Sequence, residues 1–161
     1  MTRTIKILFA SLFFLLLQVN VVQLLTIDGI SPDLLIIWIV YLALTEGQLR
    51  STLWGFSIGL AFDFVTGNFI GLSALTKTVC GFLAGYFFNE NKTQLILGSY
   101  RILLIVLFVS LIHNTVYFIV FTRGTTIGVL GAILQIGLAT TVYTATITLL
   151  PMFIFARKMV S

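Results

Sequence analysis

One acid and one base stand in a stretch that otherwise shuns charge. Between Gly55 and Gly85 the chain is glycine-studded and greasy, yet it carries Asp63 and Lys77. An isolated charge at mid-bilayer costs about 2.5–3.5 kcal/mol on insertion scales, so each group is expected to have a partner or a function. The spacing points to a pair. Gly55, Gly59 and Asp63 recur every four residues, as do Ser73, Lys77, Gly81 and Gly85. Residues four apart share a helix face. Folding the stretch about residue 70 sets 63 against 77, 59 against 81 and 55 against 85. Small residues then meet small residues and let two backbones approach closely, while Asp63 faces Lys77 at the mouth of the seam. Other readings stay open here: a Lys77 that snorkels to headgroups, an Asp63 solvated at a helix end, or a ligand-binding or proton-carrying role.

Further polar side chains interrupt the apolar runs. Ser110, His113, Asn114 and Tyr117 form one stripe; Ser11 and Gln18 lie early in the chain, and Gln135, Thr140, Thr144 and Thr148 late. Interhelical hydrogen bonds, worth about 0.6–2 kcal/mol each, explain such residues. The sharper alternative is a polar cavity between the fifth and sixth apolar segments that accepts a ligand. His113 is the only histidine, which excludes a His-rich metal site. HExxH, GxSxG and Walker-type patterns are missing, and Cys80 with His113 makes no recognisable nucleophile–base arrangement. Neither catalysis nor a cofactor is expected, and one cysteine excludes an internal disulfide.

The elements that must position these groups are membrane helices. Of 161 residues, 59% are hydrophobic and only 9% charged, against about 25% charged in soluble domains. The net charge of +4 is small and scattered, which argues against nucleic acid as a partner. The basic flank Arg3 and Lys6 precedes a long apolar run without a small-x-small cleavage site, so an uncleaved anchor is expected. A crossing helix needs about 17–25 residues. Six spans are expected, at about 7–25, 33–48, 51–66, 71–88, 102–121 and 128–156, making one all-α transmembrane domain over 1–161. The second and third are short enough to tilt, thin the bilayer or be partly re-entrant. Pro151 predicts a kink or break in the sixth. With the N-terminus inside, Arg3, Lys6, Arg50, Lys92, Arg101, Arg157 and Lys158 fall on the cytoplasmic side and Arg123 alone outside. Positive charge favours the cytoplasm, so both termini are expected there. Trp54 falls near the inner boundary; Trp38 lies mid-span, free to face lipid, another span or a partner helix.

The segment ISPDLLIIWIVYLALTEG (30–47), followed by LWGFSIGLAFDFVTGNFIGLSALTKTVCGFLAG (53–85), resembles the rod shape-determining protein MreD family. The family's Pro-Asp step corresponds to Pro32 and Asp33, its Gly-x-x-x-Asp step to Gly59 and Asp63, and its Gly-x-Ser-Ala-Leu element to Gly71, Ser73, Ala74 and Leu75. The resemblance implies a non-enzymatic component of the lateral wall-elongation machinery in the bacterial inner membrane. Its implied partners are MreC, through a transmembrane helix, and indirectly MreB and the elongation transpeptidase and glycosyltransferase, with membrane lipid around it. It also implies a likeness to the six-helix substrate-binding components of energy-coupling-factor transporters. A rival reading from another class is a small-molecule-binding transporter subunit.

Overall fold

A computed structural model describes residues 2–67, 69–122 and 129–160. Arg123, the one basic residue expected outside, residue 128 at the start of the expected sixth span, and Asn68 in the hairpin turn lie outside the described residues, as does the side chain of Lys158. Helix α1 (Thr2–Leu16) continues through a π-helical turn (Leu17–Val21) and a 3₁₀ turn (Val22–Leu25). Then follow α2 (Leu34–Glu46), α3 (Gln48–Thr66), α4 (Leu72–Gly85), the short α5 (Thr93–Leu97) and α6 (Arg101–Phe121). The last rod comprises α7 (Val129–Ala132), a π turn (Ile133–Gly137), α8 (Leu138–Ile147) and α9 (Leu149–Val160). Among the described residues there is no β-strand, only an isolated bridge between Ile27 and Ile30.

Three stretches are long and apolar enough to cross a membrane: Arg3–Leu25, Arg101–Phe121 and Val129–Arg157. Leu34–Glu46 and Leu72–Gly85 are apolar but shorter. The short helices matter for depth. The 13 residues of α2 cover only about 20 Å at 1.5 Å per residue, against a hydrocarbon core of about 30 Å. The helix is therefore about 10 Å too short to span that core by itself. Leu35, Ile36, Ile39, Val40, Ala43 and Leu44 are all fully buried, so other helices enclose α2. Helices α1, α3, α4 and α6 supply the surroundings. The terminal rods are peripheral, with 17% of their apolar windows buried against 39% for α6.

Gly47 alone separates α2 from α3, at φ 87°, a left-handed conformation that suits glycine. The last rod breaks between Ile147 and Leu149. Pro151 accounts for this as expected, since a proline ring clashes with the carbonyl four residues earlier, here that of Ile147.

Helices α3 and α4 do pack through their glycines, but in a different register from the one the spacing suggested. A Cβ on Gly55 would strike the Lys77 carbonyl, and one on Gly59 would lie 2.5 Å from the Ser73 carbonyl oxygen. Gly81 lies against the backbone of Ser51, and Gly85 against Gln48. Each glycine thus meets the opposite backbone rather than another glycine. The chain leaves α3 at Gly67, in the left-handed region, so the hairpin folds several residues earlier than residue 70. Ser51 adds to the seam by donating its hydroxyl to the Gly81 carbonyl at 2.9 Å.

Candidate functional site

The polar groups collect in one layer, level with the first residue of α2. Asp33 is the N-cap of that helix: Oδ1 accepts from the Ile36 amide at 3.1 Å, supplying one of the acceptors that a helix N-terminus lacks. Oδ2 accepts from Lys77 Nζ at 3.0 Å, with the lysine side chain 2% exposed and the aspartate side chain 14%. The carboxylate partner of Lys77 is therefore Asp33 and not Asp63. The expected pair fails because the true register moves Asp63 beyond the lysine, toward the turn. Lys77 also stands over the Phe62 ring, 5.1 Å from its centroid, a distance at which a cation is attracted to an aromatic face. It does not snorkel to headgroups.

Asp63 instead caps a helix to which it does not belong. Its carboxylate accepts from the amides of Gly71 at 2.9 Å, Ser73 at 3.1 Å and Ala74 at 3.3 Å. The residue is fully buried. Gly71 is the N-cap of α4 and has no side chain to offer. An acid on α3 supplies the missing acceptor, and the positive end of the α4 dipole balances its charge. Ser73 enters this contact through its amide.

The segment that places Asp33 is clamped from two other helices. Gln18 donates from Nε2 to the Pro32 carbonyl at 3.1 Å, and its Oε1 accepts from the Leu34 amide at 2.8 Å. Thr144 Oγ accepts from the Asp33 amide at 3.0 Å. Gln18 lies in the π turn after α1, a kind of bulge that re-aims side chains. His113 approaches from α6: Nε2 is 3.9 Å from Asp33 Oδ2 and 3.2 Å from Thr76 Oγ. Thr76 donates its hydroxyl within α4 to the Leu72 and Ser73 carbonyls, so it accepts from Nε2–H, and the network assigns the proton to Nε2. His113 Nδ1 is buried without a hydrogen-bond partner.

Asn114 does not face this cluster. It donates to the Gly137 carbonyl at 3.2 Å and to Thr141 Oγ at 3.0 Å, tying α6 to the π turn of the last rod. The polar stripe of α6 thus divides: Asn114 bridges to one neighbour and His113 to another. Gln135 is exposed on the side of the bundle. Of the residues singled out by sequence, the structure joins Pro32, Asp33, Lys77 and His113 in one group. Asp63, Gly71 and Ser73 form a second, and the four seam glycines a third. Thr76 was missed, and nothing in its surroundings marks it. Gln18 and Thr144 were visible as polar residues in apolar runs, but their common target was not.

At the opposite end of the bundle Glu46 forms ion pairs with Arg3 and Arg50, and Arg3 also donates to the Thr45 carbonyl. Thr93 Oγ donates to the Leu44 carbonyl at 2.9 Å, which brings the chain before Arg101 to the same end. Chemically, the buried layer is closed on itself except at His113 Nδ1. Its lysine, carboxylates and amides are used on one another and hold α1, α2, α4 and α8 in fixed relation.

A family model described as rod shape-determining protein MreD matches residues 1–159. No curated protein matches the chain, and no solved structure does.

Proposed function

The chain belongs to the MreD family, multi-pass membrane proteins of the cell-elongation machinery, and on that premise we propose that it is a scaffold without catalysis of its own. In this reading it is a single domain of six crossing helices, arranged like the substrate-binding components of energy-coupling-factor transporters. It holds the transmembrane helix of MreC on its lateral surface. MreB and the elongation transpeptidase and glycosyltransferase are reached through that contact. One observation carries the reading: the intramembrane charges close on one another, Lys77 on Asp33 at 3.0 Å and Asp63 on the amides of α4. A transporter subunit needs such groups free to meet a substrate. The lateral surface, by contrast, exposes large apolar side chains such as Phe9, Phe13, Leu24 and Leu130.

We place both termini in the cytoplasm. Arg3 and Arg50 pair with Glu46 at one end of the bundle, and Arg101 and Arg157 lie at that same end of their helices. Positive charge on one face argues for that face inside. Asp33 and Asp63 then lie toward the outside.

Site-directed photo-crosslinking along each span in native membranes tests the scaffold. Adducts with a partner chain should recur every three to four residues on at least one span. An even pattern free of partner adducts would remove the reading.

A further inference from the structure

We propose that the groove between α1, α2, α6 and α9 is a binding site for an anionic glycerophospholipid, with an acyl chain in the groove and the headgroup phosphate at Arg101 and Arg157. The groove has a volume of about 450 Å³. One wall is a continuous aromatic stack: Phe14 on Trp38 at 4.9 Å, Trp38 on Tyr41 at 5.3 Å, and Tyr41 on Phe155 at 5.8 Å between ring centroids. Trp38 is held in place by its Nε1 donating to Ser11 Oγ at 2.9 Å. That bond satisfies the indole donor of Trp38 within the groove wall. The opposite wall is opened by the break before Pro151, which also lines the groove.

Size decides between occupants. A helix is about 10–12 Å across and rises about 1.5 Å per residue, so it needs about 120–170 Å³ for each residue of length. The groove would enclose only about three residues of a helix, which could engage it through side chains alone, whereas a single flexible chain follows its length. Charge decides the headgroup. Ile102 and Ile154 line the groove; Arg101 directly precedes the first, and Arg157 lies one turn beyond the second, on the same helix face. Both arginines are exposed, and the ion pairs of the described residues engage Arg3, Arg50, Lys77 and His113 but neither of these two. Two guanidinium groups at the ends of the groove-lining helices α6 and α9 complement a phosphate joined to a hydrocarbon chain.

The chain contains two tryptophans, so Trp54→Phe leaves Trp38, in the groove wall, as the sole tryptophan. The full-length W54F protein is placed in phosphatidylcholine nanodiscs with increasing fractions of lipid brominated in mid-chain. Brominated phosphatidylglycerol should quench Trp38 at about a tenfold lower mole fraction than brominated phosphatidylcholine. Arg101→Gln should reduce that preference about threefold, as one of two basic groups contributing equally, and R101Q with R157Q should abolish it. Ile154→Phe, which fills the groove and leaves the arginines, should weaken quenching by both lipids. Equal quenching by the two lipids, or a preference that survives loss of both arginines, overturns the proposal. Full displacement of brominated phosphatidylglycerol by an equimolar polyprenyl phosphate, or by a stoichiometric partner helix, assigns the groove to that occupant and overturns it too.

Discussion

Asp33 and Asp63 both sit at helix N-termini near the same end of the bundle, yet they are stabilised by opposite means. Asp33 caps its own helix through Ile36 and leaves an oxygen for Lys77. Asp63 uses both oxygens on three amides of a neighbouring helix and, among the described residues, forms no ion pair. The first arrangement joins residues 44 apart in sequence, the second residues 8 to 11 apart. One is therefore a tertiary lock between α2 and α4, and the other a local closure of the α3–α4 hairpin. Partial charges suffice at Asp63 because several oriented amides converge on it. At Lys77 the cation is met by a full countercharge, with the Phe62 ring face beside it.

Removing one partner should break the lock most severely. Lys77→Met, with Asp33 kept, is expected to cost about 3–5 kcal/mol, the usual penalty for stranding a buried charge. Asp33→Asn keeps an acceptor for Ile36 but strands the lysine, and should cost a similar amount. The double variant should recover much of the loss, since neither charge remains. Equilibrium unfolding in detergent or nanodiscs measures all three. Strict additivity would show that the two groups do not depend on each other.

Asp63→Ala is expected to cost about 2 kcal/mol or more, because buried amides left without an acceptor each lose about 1–3 kcal/mol. Here the contrast sharpens. Combined with Lys77→Met, the change should add to within about 0.5 kcal/mol, as for residues with no shared partner. A large rescue would instead make Asp63 the lysine's partner. Exchange of the Ser73 and Ala74 amides should quicken in the Asp63→Ala protein and stay slow in the Asp33→Asn protein.

The smallest effects test the seam. Gly59→Ala brings a methyl to 2.5 Å from the Ser73 carbonyl oxygen and should cost about 1–3 kcal/mol through overpacking. Gly131→Ala meets nothing within 4 Å and should gain about 0.4–1 kcal/mol by restricting the unfolded chain. Thermal denaturation of the two side by side separates close approach from glycine flexibility.

Much of the architecture is legible in the residues alone. Apolar content and run length require membrane helices, because in lipid only helices and closed barrels satisfy the backbone, and these runs are too long and do not alternate as barrel strands do. The break at Pro151 follows from one ring and one carbonyl. The family resemblance rests on Pro32-Asp33, Gly59 with Asp63, and the Gly71 to Leu75 element, and the family match extends it along the chain. The capping role of Asp63 also left a signal, namely a glycine at the start of α4 with no side chain to accept from its amides.

The partner of Lys77 left none. Four-residue spacing establishes which residues share a helix face, but two helices with correct faces can still slide along each other. Here the turn at Gly67 and the fit of glycines against opposing backbone set that offset, and it carried Asp63 past the lysine. Which acid took its place depended on α2 packing against α4 with its N-cap, Asp33, at the level of Lys77. Periodicity is a local property of one helix and could be read from the chain. Depth and register are relations between helices, decided only when their surfaces pack.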